Sequence, residues 1–268
     1  MPSDLSLSFH GAVGTVTGSK FLIRHKRSRY LVDCGLYQGY KQLRERNWKP
    51  LPVAPERIST AVLTHAHLDH SGWLPILCRD GFRGKILATP ATRDLCRYLL
   101  PDSGFIHEKD AEFANRHGFT RHHPARPLYT QADARAVMKY FRTVDFHAPY
   151  RRGNLEVLFR RAGHILGAAT VQIDIAGVRM VFSGDLGHPD SATMYPPEPV
   201  RQADYLVVES TYGNRRRNRQ DPEDAIAEVL EKMLKHPHSR LIYVVDENDR
   251  CQGGVTGHAD PPFVLQQL

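Results

Sequence analysis

The chain has 268 residues, 41% of them hydrophobic and 24% charged, with the charges spread along its length; this excludes a disordered chain and leaves enough apolar surface for a sizeable core. A formal charge of +7 favours polyanionic partners such as RNA without naming one. No apolar run approaches the roughly 18 residues that span a bilayer, and the start of the sequence lacks the basic segment and apolar block of a secretory signal, so no membrane partner and a cytoplasmic location are expected.

The opening LSLSFH alternates polar and apolar residues, a strand pattern, and runs into the glycine-containing turn GAVGTVTGS. KFLIR and RYLVDCG read as two more strands about a charged turn at 26–28. In ISTAVLTHAHLDH an apolar strand at 60–63 stops against a polar cluster, and the carboxyl ends of strands are where layered folds commonly place their sites. Helical patterns follow at about 92–100, 108–115 and 131–141, the last capped by Thr130 with Asp133 three residues on; 101–104 and 118–127 read as breakers. Strands return at 157–161, 170–175, 178–182 and 205–209, and a helix is expected at about 222–234 with Asp221 as its cap. The order strands, helices, strands, helix predicts an α/β protein of two packed sheets with helices outside, in a single domain over 1–268. Cys34, Cys78, Cys96 and Cys251 are widely separated without CxxC spacing and are expected to be free thiols.

The chemistry concentrates in HAHLDH, which supplies His65, His67, Asp69 and His70. On a helix, residues i and i+2 point about 200 degrees apart, so His65 and His67 converge only on extended or looped backbone; a tight loop after the strand turns such side chains toward neighbouring cations. This separates the motif from HExxH, whose spacing needs a helix. His164 lies in AGHILGAAT and Asp185 in FSGDLG, both placed as loop residues presented from a sheet. Taken alone, His164 and His258 read as readily as ordinary histidines. The run NRRRNRQDPED is a solvated charged face that also offers RNA phosphate contacts through Arg215, Arg216, Arg217 and Arg219.

With LVDCG, HAHLDH, FSGDLG, ESTYG and GHAD in this order, the chain resembles the metallo-β-lactamase superfamily, and within it the β-CASP RNA-processing branch; GAVGTVTGS, LPDSG and ADYLVVESTYG are similar in wording to its bacterial and archaeal members. The resemblance implies an αββα sandwich holding two zinc ions (Zn2+), with His65, His67 and His164 on the first, Asp69, His70 and His258 on the second, and Asp185 bridging. It implies that Asp33 orients ligand histidines, that Asp69 shares a proton with the nucleophile, and that Glu209 of ESTYG is the branch's acidic catalytic residue. In the branch a large cap follows ESTYG and a further motif-B histidine follows the cap. Here the stretch 214–257 is a remnant or shortened replacement, and no motif-B histidine is matched.

Three readings follow. The first is a zinc-dependent phosphodiester hydrolase acting on RNA, a β-CASP-like ribonuclease weakened by cap loss that binds RNA weakly and in a salt-dependent way. The second is a small-molecule metallohydrolase for a thioester, lactone or phosphodiester. The third is a catalytically feeble metal- or RNA-binding module. Oligomeric state stays open, with a homodimer among the options.

Overall fold

The computed structural model describes residues 2–118, 120–191 and 193–214, scattered positions between 224 and 235, and the strands at 240–245 and 251–256. The chain divides into two units, Met1–Glu209 and Ser210–Leu268.

In the first unit, β1 (Leu5–Phe9), β2 (Phe21–His25) and β3 (Ser28–Val32) form an antiparallel meander. After α1 (Lys41–Arg44), β4 (Thr60–Val62) adds parallel to β3. Two short helices follow, α2 (Leu68–Ser71) and α3 (Leu74–Arg79), and β5 (Lys85–Ala88) extends the sheet in parallel. The helices α4 (Pro90–His117) and α5 (Gln131–Val137) lead to β6 (Phe141–Thr143), which completes a six-stranded sheet in the order β1-β2-β3-β4-β5-β6. The second sheet orders β11 (Tyr205–Val207), β10 (Val178–Phe182), β9 (Ala169–Ile175), β8 (Leu155–Arg161) and β7 (Tyr150–Arg152), antiparallel except for the parallel pair β10–β11.

Period-two alternation explains the layering. Leu22, Leu31, Ala61 and Ile86 point to one face of the first sheet and pack with Trp73, Leu74, Leu77, Cys96, Leu100, Ala134 and Val137 from the helices. Their strand neighbours Ile23, Val32, Val62 and Leu87 point the other way and meet Val157, Phe159, Val171, Ile173, Met180 and Phe182 of the second sheet. Strands buried on both faces read as short continuous apolar runs, as FLI, YLV and ILA do here. By contrast β8 alternates buried Leu155, Val157 and Phe159 with half-buried Glu156, Leu158 and Arg160, so the outer side of the second sheet is partly polar.

Two helix expectations are corrected. The segments 92–100 and 108–115 are one helix, because α4 runs through Pro101. Proline there removes a backbone hydrogen bond, yet Leu100, Ser103 and Gly104 are buried, and a Cβ at Gly104 would stand 2.8 Å from the Gln131 nitrogen, so close packing against the start of α5 outweighs the local penalty. The helix expected over 131–141 ends at Val137, passes through one 3-10 turn at Met138–Tyr140, and gives way to β6, where Phe141 pairs with Ile86. Its capping box is present: the Asp133 N–H donates to Thr130 Oγ1 at 3.1 Å and the Thr130 N–H to Asp133 Oδ2 at 2.9 Å.

Cys34, Cys78 and Cys96 are buried free thiols. No helix among the described residues is long and apolar enough to cross a membrane. In the second unit, β12 (Arg240–Val245) pairs antiparallel with β13 (Cys251–Thr256). Of the helix expected over 222–234, positions 224, 227, 228, 230 and 231 are helical and the remainder, with its cap, lies outside the described residues.

Candidate metal centre

The centre is assembled at the carboxyl ends of β3, β4, β8 and β10. Because β3 and β4 are parallel neighbours, Asp33 just past β3 lies beside Thr64 just past β4. Asp33 has a φ of 56° and is 2% exposed. Its backbone N–H donates to Val62 O at 2.9 Å, while its carboxylate accepts the Thr64 N–H at 2.8 Å and the Thr64 hydroxyl at 2.9 Å. The same carboxylate stands 2.8 Å from His70 Nδ1, so that nitrogen carries a proton toward Asp33 and Nε2 faces the centre.

Thr64 fixes a second ring. Its only hydroxyl proton is given to Asp33, so the 3.1 Å contact with His65 Nδ1 is donated by the imidazole, which leaves His65 Nε2 with its lone pair toward the centre. His67 is the N-cap residue of α2, with Asp69 and His70 inside its single turn. The motif therefore crosses from non-helical backbone at His65 into a helical turn after His67, as the spacing argument requires of His65 and His67.

His67 Nδ1 lies 3.1 Å from His65 Nε2 and 3.1 Å from His164 Nε2. Asp185 Oδ2 is 3.6 Å from each of those Nε2 atoms. The ligating atoms of His65, His67, His164 and Asp185 all lie within 4.8 Å of one another. Tetrahedral zinc with bonds of about 2.0–2.1 Å sets its ligands roughly 3.3 Å apart, so this donor set fits a zinc ion. The other oxygen of Asp185, Oδ1, is 3.1 Å from His70 Nε2, which is in turn 3.8 Å from Asp69 Oδ2. Asp185 thus offers one oxygen to the three-histidine group and one to the His70–Asp69 side.

Burial, with the charge of His70 added, holds His65 well below the ordinary histidine range; burial and the neighbouring His164 bring His67 down to about 4, and burial lowers His164. All three imidazoles are therefore neutral lone-pair donors at pH 7. For His70, burial is overridden by the charge of Asp33 and by hydrogen bonds to Asp185 and Asp33, which raise it. For Asp185, burial is overridden by the hydrogen bond and charge of His70, so its carboxyl stays well below the usual carboxylate range. Burial pushes the Asp69 carboxyl up, against the charge of His70.

Glu209 is not one of the four residues of the ligating group. It accepts the Leu186 N–H on Oε1 at 2.6 Å, and its own N–H donates to Ser183 Oγ at 3.0 Å, so it braces the loop that carries Asp185. His258 and Arg215, Arg216, Arg217 and Arg219 lie outside the described residues. Sequence reasoning overlooked Thr64 and Ser19, whose Oγ is 3.5 Å from His70 Nε2. Thr64 had one signal, its place at the end of a strand immediately before the first motif histidine.

The layering and the ligand cluster at the strand ends define a protein of the metallo-β-lactamase type, and residues 13–95 match the Metallo-beta-lactamase superfamily. The chain is 33% identical over 233 residues to Ribonuclease TTHA0252 of Thermus thermophilus, covering 87% of this chain and 50% of that protein. It is 30% identical over 237 residues to Cleavage and polyadenylation specificity factor 73 of Drosophila melanogaster, covering 87% of this chain and 33% of that protein. The match at 13–95 is to the metallo-β-lactamase superfamily, and over most of its length the chain is similar to these two proteins and to Endoribonuclease YSH1 of Eremothecium gossypii. The expected leaning toward bacterial and archaeal members is broadened, since eukaryotic relatives match over 78–87% of the chain beside the bacterial one. The chain spans half the length of the Thermus relative and a third of the Drosophila one. A solved structure of a protein of unknown function from Enterococcus faecalis V583 shares the fold, with a TM-score of 0.50 at 15% identity over 88% of this chain and 59% of that one.

Proposed function

We propose that the chain is a zinc-dependent hydrolase of RNA phosphodiester bonds. The observation that carries the metal half of this reading is Asp185, with one oxygen 3.6 Å from two histidines of one group and the other 3.1 Å from His70. Likeness to a ribonuclease over 87% of the chain supports RNA as substrate. In this reading His65, His67 and His164 would hold one zinc, Asp69, His70 and His258 would hold a second, and Asp185 would serve both.

Bound zinc supplies Lewis acidity and acidifies water near neutral pH, the chemistry phosphodiester hydrolysis needs. The chain's residues do the rest. Asp33 and Thr64 fix the ring faces of His70 and His65, which presents Nε2 of both to the centre. Asp69, whose Oδ2 is 3.8 Å from His70 Nε2, would share a proton with the nucleophile while serving as a ligand. Glu209 acts on the centre through the Leu186 N–H, as a brace for the Asp185 loop.

In this reading residues 1–268 work as one metallo-β-lactamase-like domain. The stretch 214–257 stands in for the branch's longer cap. A short cap and a charge of +7 make RNA binding weak and salt-dependent, through phosphate contacts that include Arg215, Arg216, Arg217 and Arg219.

The test compares three substrates before and after chelation: an unstructured RNA, a chromogenic phosphodiester and a thioester. The expected result is RNA cleavage that stops on chelation, returns with zinc, and is absent in a His67→Ala, Asp185→Ala double variant. Zinc-dependent turnover of the thioester without RNA cleavage overturns the assignment in favour of a small-molecule hydrolase. Full zinc occupancy with no turnover of any substrate leaves a binding module.

A further inference from the structure

Lys20 closes the GAVGTVTGSK turn and has no part in the chemistry above. It is 4% exposed, and among the described residues its amine makes no ion pair. Instead Nζ donates to the carbonyl of Gly35 and, at 3.4 Å, to that of Gly18. It also lies 4.9 Å from the centre of the Tyr37 ring and 5.7 Å from that of Trp73. Both rings are anchored, the Tyr37 hydroxyl on His10 O at 2.7 Å and Trp73 Nε1 on Asn47 O at 2.9 Å. Burying an ammonium without a carboxylate is costly, and aromatic faces and carbonyls offset only part of that cost.

What this amine holds lies directly on the metal centre. The Gly35 N–H donates to Ser19 O at 3.0 Å, so the loop at 11–19 and the loop at 33–37 are joined through both the N–H and the carbonyl of Gly35. Gly35 packs on the Asp69–His70 peptide so tightly that a Cβ there would stand 1.4 Å from Asp69 O and 2.6 Å from His70 N. Three backbone bonds run from these loops into α2: Ser19 N–H to Asp69 O at 2.9 Å, Cys34 N–H to His70 O at 2.7 Å, and Leu36 N–H to Leu68 O at 2.8 Å. The backbone of the Asp69–His70 turn is therefore held by two loops, and Lys20 ties those loops together.

We propose that Lys20 is a positioning residue that clamps the 11–19 loop to the 33–37 loop and thereby holds Asp69 and His70 in place for the second zinc. This rests on the two-zinc reading above.

The experiment uses the full chain with Lys20→Met and Lys20→Gln, amide hydrogen exchange read residue by residue, and zinc content by elemental analysis. In Lys20→Met the amides of Ser19, Cys34 and Leu36 exchange at least about tenfold faster than in wild type, while Leu22 and Leu31 on β2 and β3 are unchanged, as expected when one local clamp opens without global unfolding. Zinc content falls from two equivalents toward one, with the three-histidine group still loaded. Lys20→Gln, able to donate to one carbonyl, lies between, and it carries the same measurements where Lys20→Met does not fold. Unchanged exchange at the three amides overturns the proposal, as does faster exchange with zinc content still at two. A wild-type protein that takes up a single zinc overturns the two-zinc reading instead, and exchange at the three amides still decides whether Lys20 holds the turn.

Discussion

The two sides of the metal centre are built differently. The His65, His67 and His164 side consists of neutral imidazoles whose ring nitrogens already stand 3.1 Å apart. The His70 and Asp69 side is ionic: His70 lies between two carboxylates, Asp33 at 2.8 Å and Asp185 at 3.1 Å, which favour its charged form and hold at Nε2 a proton that a zinc ion would displace. One side is preorganised for a cation by ring placement, the other by a chain of hydrogen bonds reaching back through Asp33. The difference teaches that the two sides should fail separately, joined as they are by the Asp185 carboxylate in front and by Thr64 behind the rings.

Replacing Asp185 with Ala should have the largest effect, loss of zinc from both sides and of at least about 1,000-fold in RNA cleavage; elemental analysis and a cleavage assay measure it. If one zinc survives fully bound, the carboxylate does not join the two sides. A smaller effect is expected from Asp33→Asn, which keeps the shape but weakens the hold on His70. Zinc affinity should drop about 10–100-fold on the His70 side and far less on the three-histidine side, read by competition with a chromophoric chelator. Equal losses on both sides would mean that Asp33 acts through Thr64 and His65 as much as through His70. Thr64→Val separates these routes, since it removes the hydroxyl contact to His65 and should weaken the three-histidine side by about tenfold.

The smallest effect concerns Lys20, lowered to about 8 by burial. A lysine with a depressed folded-state value binds fewer protons folded than unfolded, so between pH 7.5 and 8.5 its contribution to stability should rise with pH, by roughly 0.7 kcal/mol. In urea melts the stability of wild type relative to Lys20→Met should rise by that amount across the window. The thiols of Cys34, Cys78 and Cys96, which burial pushes up to about 12, act in the opposite sense over the same window because unfolding lets them release protons, and being common to both proteins they cancel in the comparison. A difference between the two proteins that stays constant from 7.5 to 8.5 would mean that the amine is as well solvated folded as unfolded.

Much of this was legible in the sequence, for identifiable reasons. Strands β1, β2, β3, β8, β9 and β10 announce themselves through alternation or short apolar runs bounded by turns, and the capping box at Thr130 is a local signal that survives folding. The strands β5, β6 and β7 did not, because elements of three or four residues carry too little pattern and exist through pairing with distant partners. Continuity of α4 through Pro101 was hidden because its support is tertiary, in the packing of Leu100 and Gly104. In the site, the density of HAHLDH is a statement about chemistry that needs no fold, whereas Thr64 and Lys20 matter through what they touch, and neither a threonine nor a lysine is unusual in a sequence.

The ligands also come from both sides of the sandwich. His65, His67, Asp69 and His70 follow β4 of the first sheet, while His164 follows β8 and Asp185 follows β10 of the second. A bound ion would therefore rivet the two sheets at their upper seam, and its coordination would work as a gauge of how the sheets are aligned. A cavity cut between them, as by Phe159→Ala, touches no ligand yet should shift the visible absorption of the cobalt-substituted protein before it melts the fold.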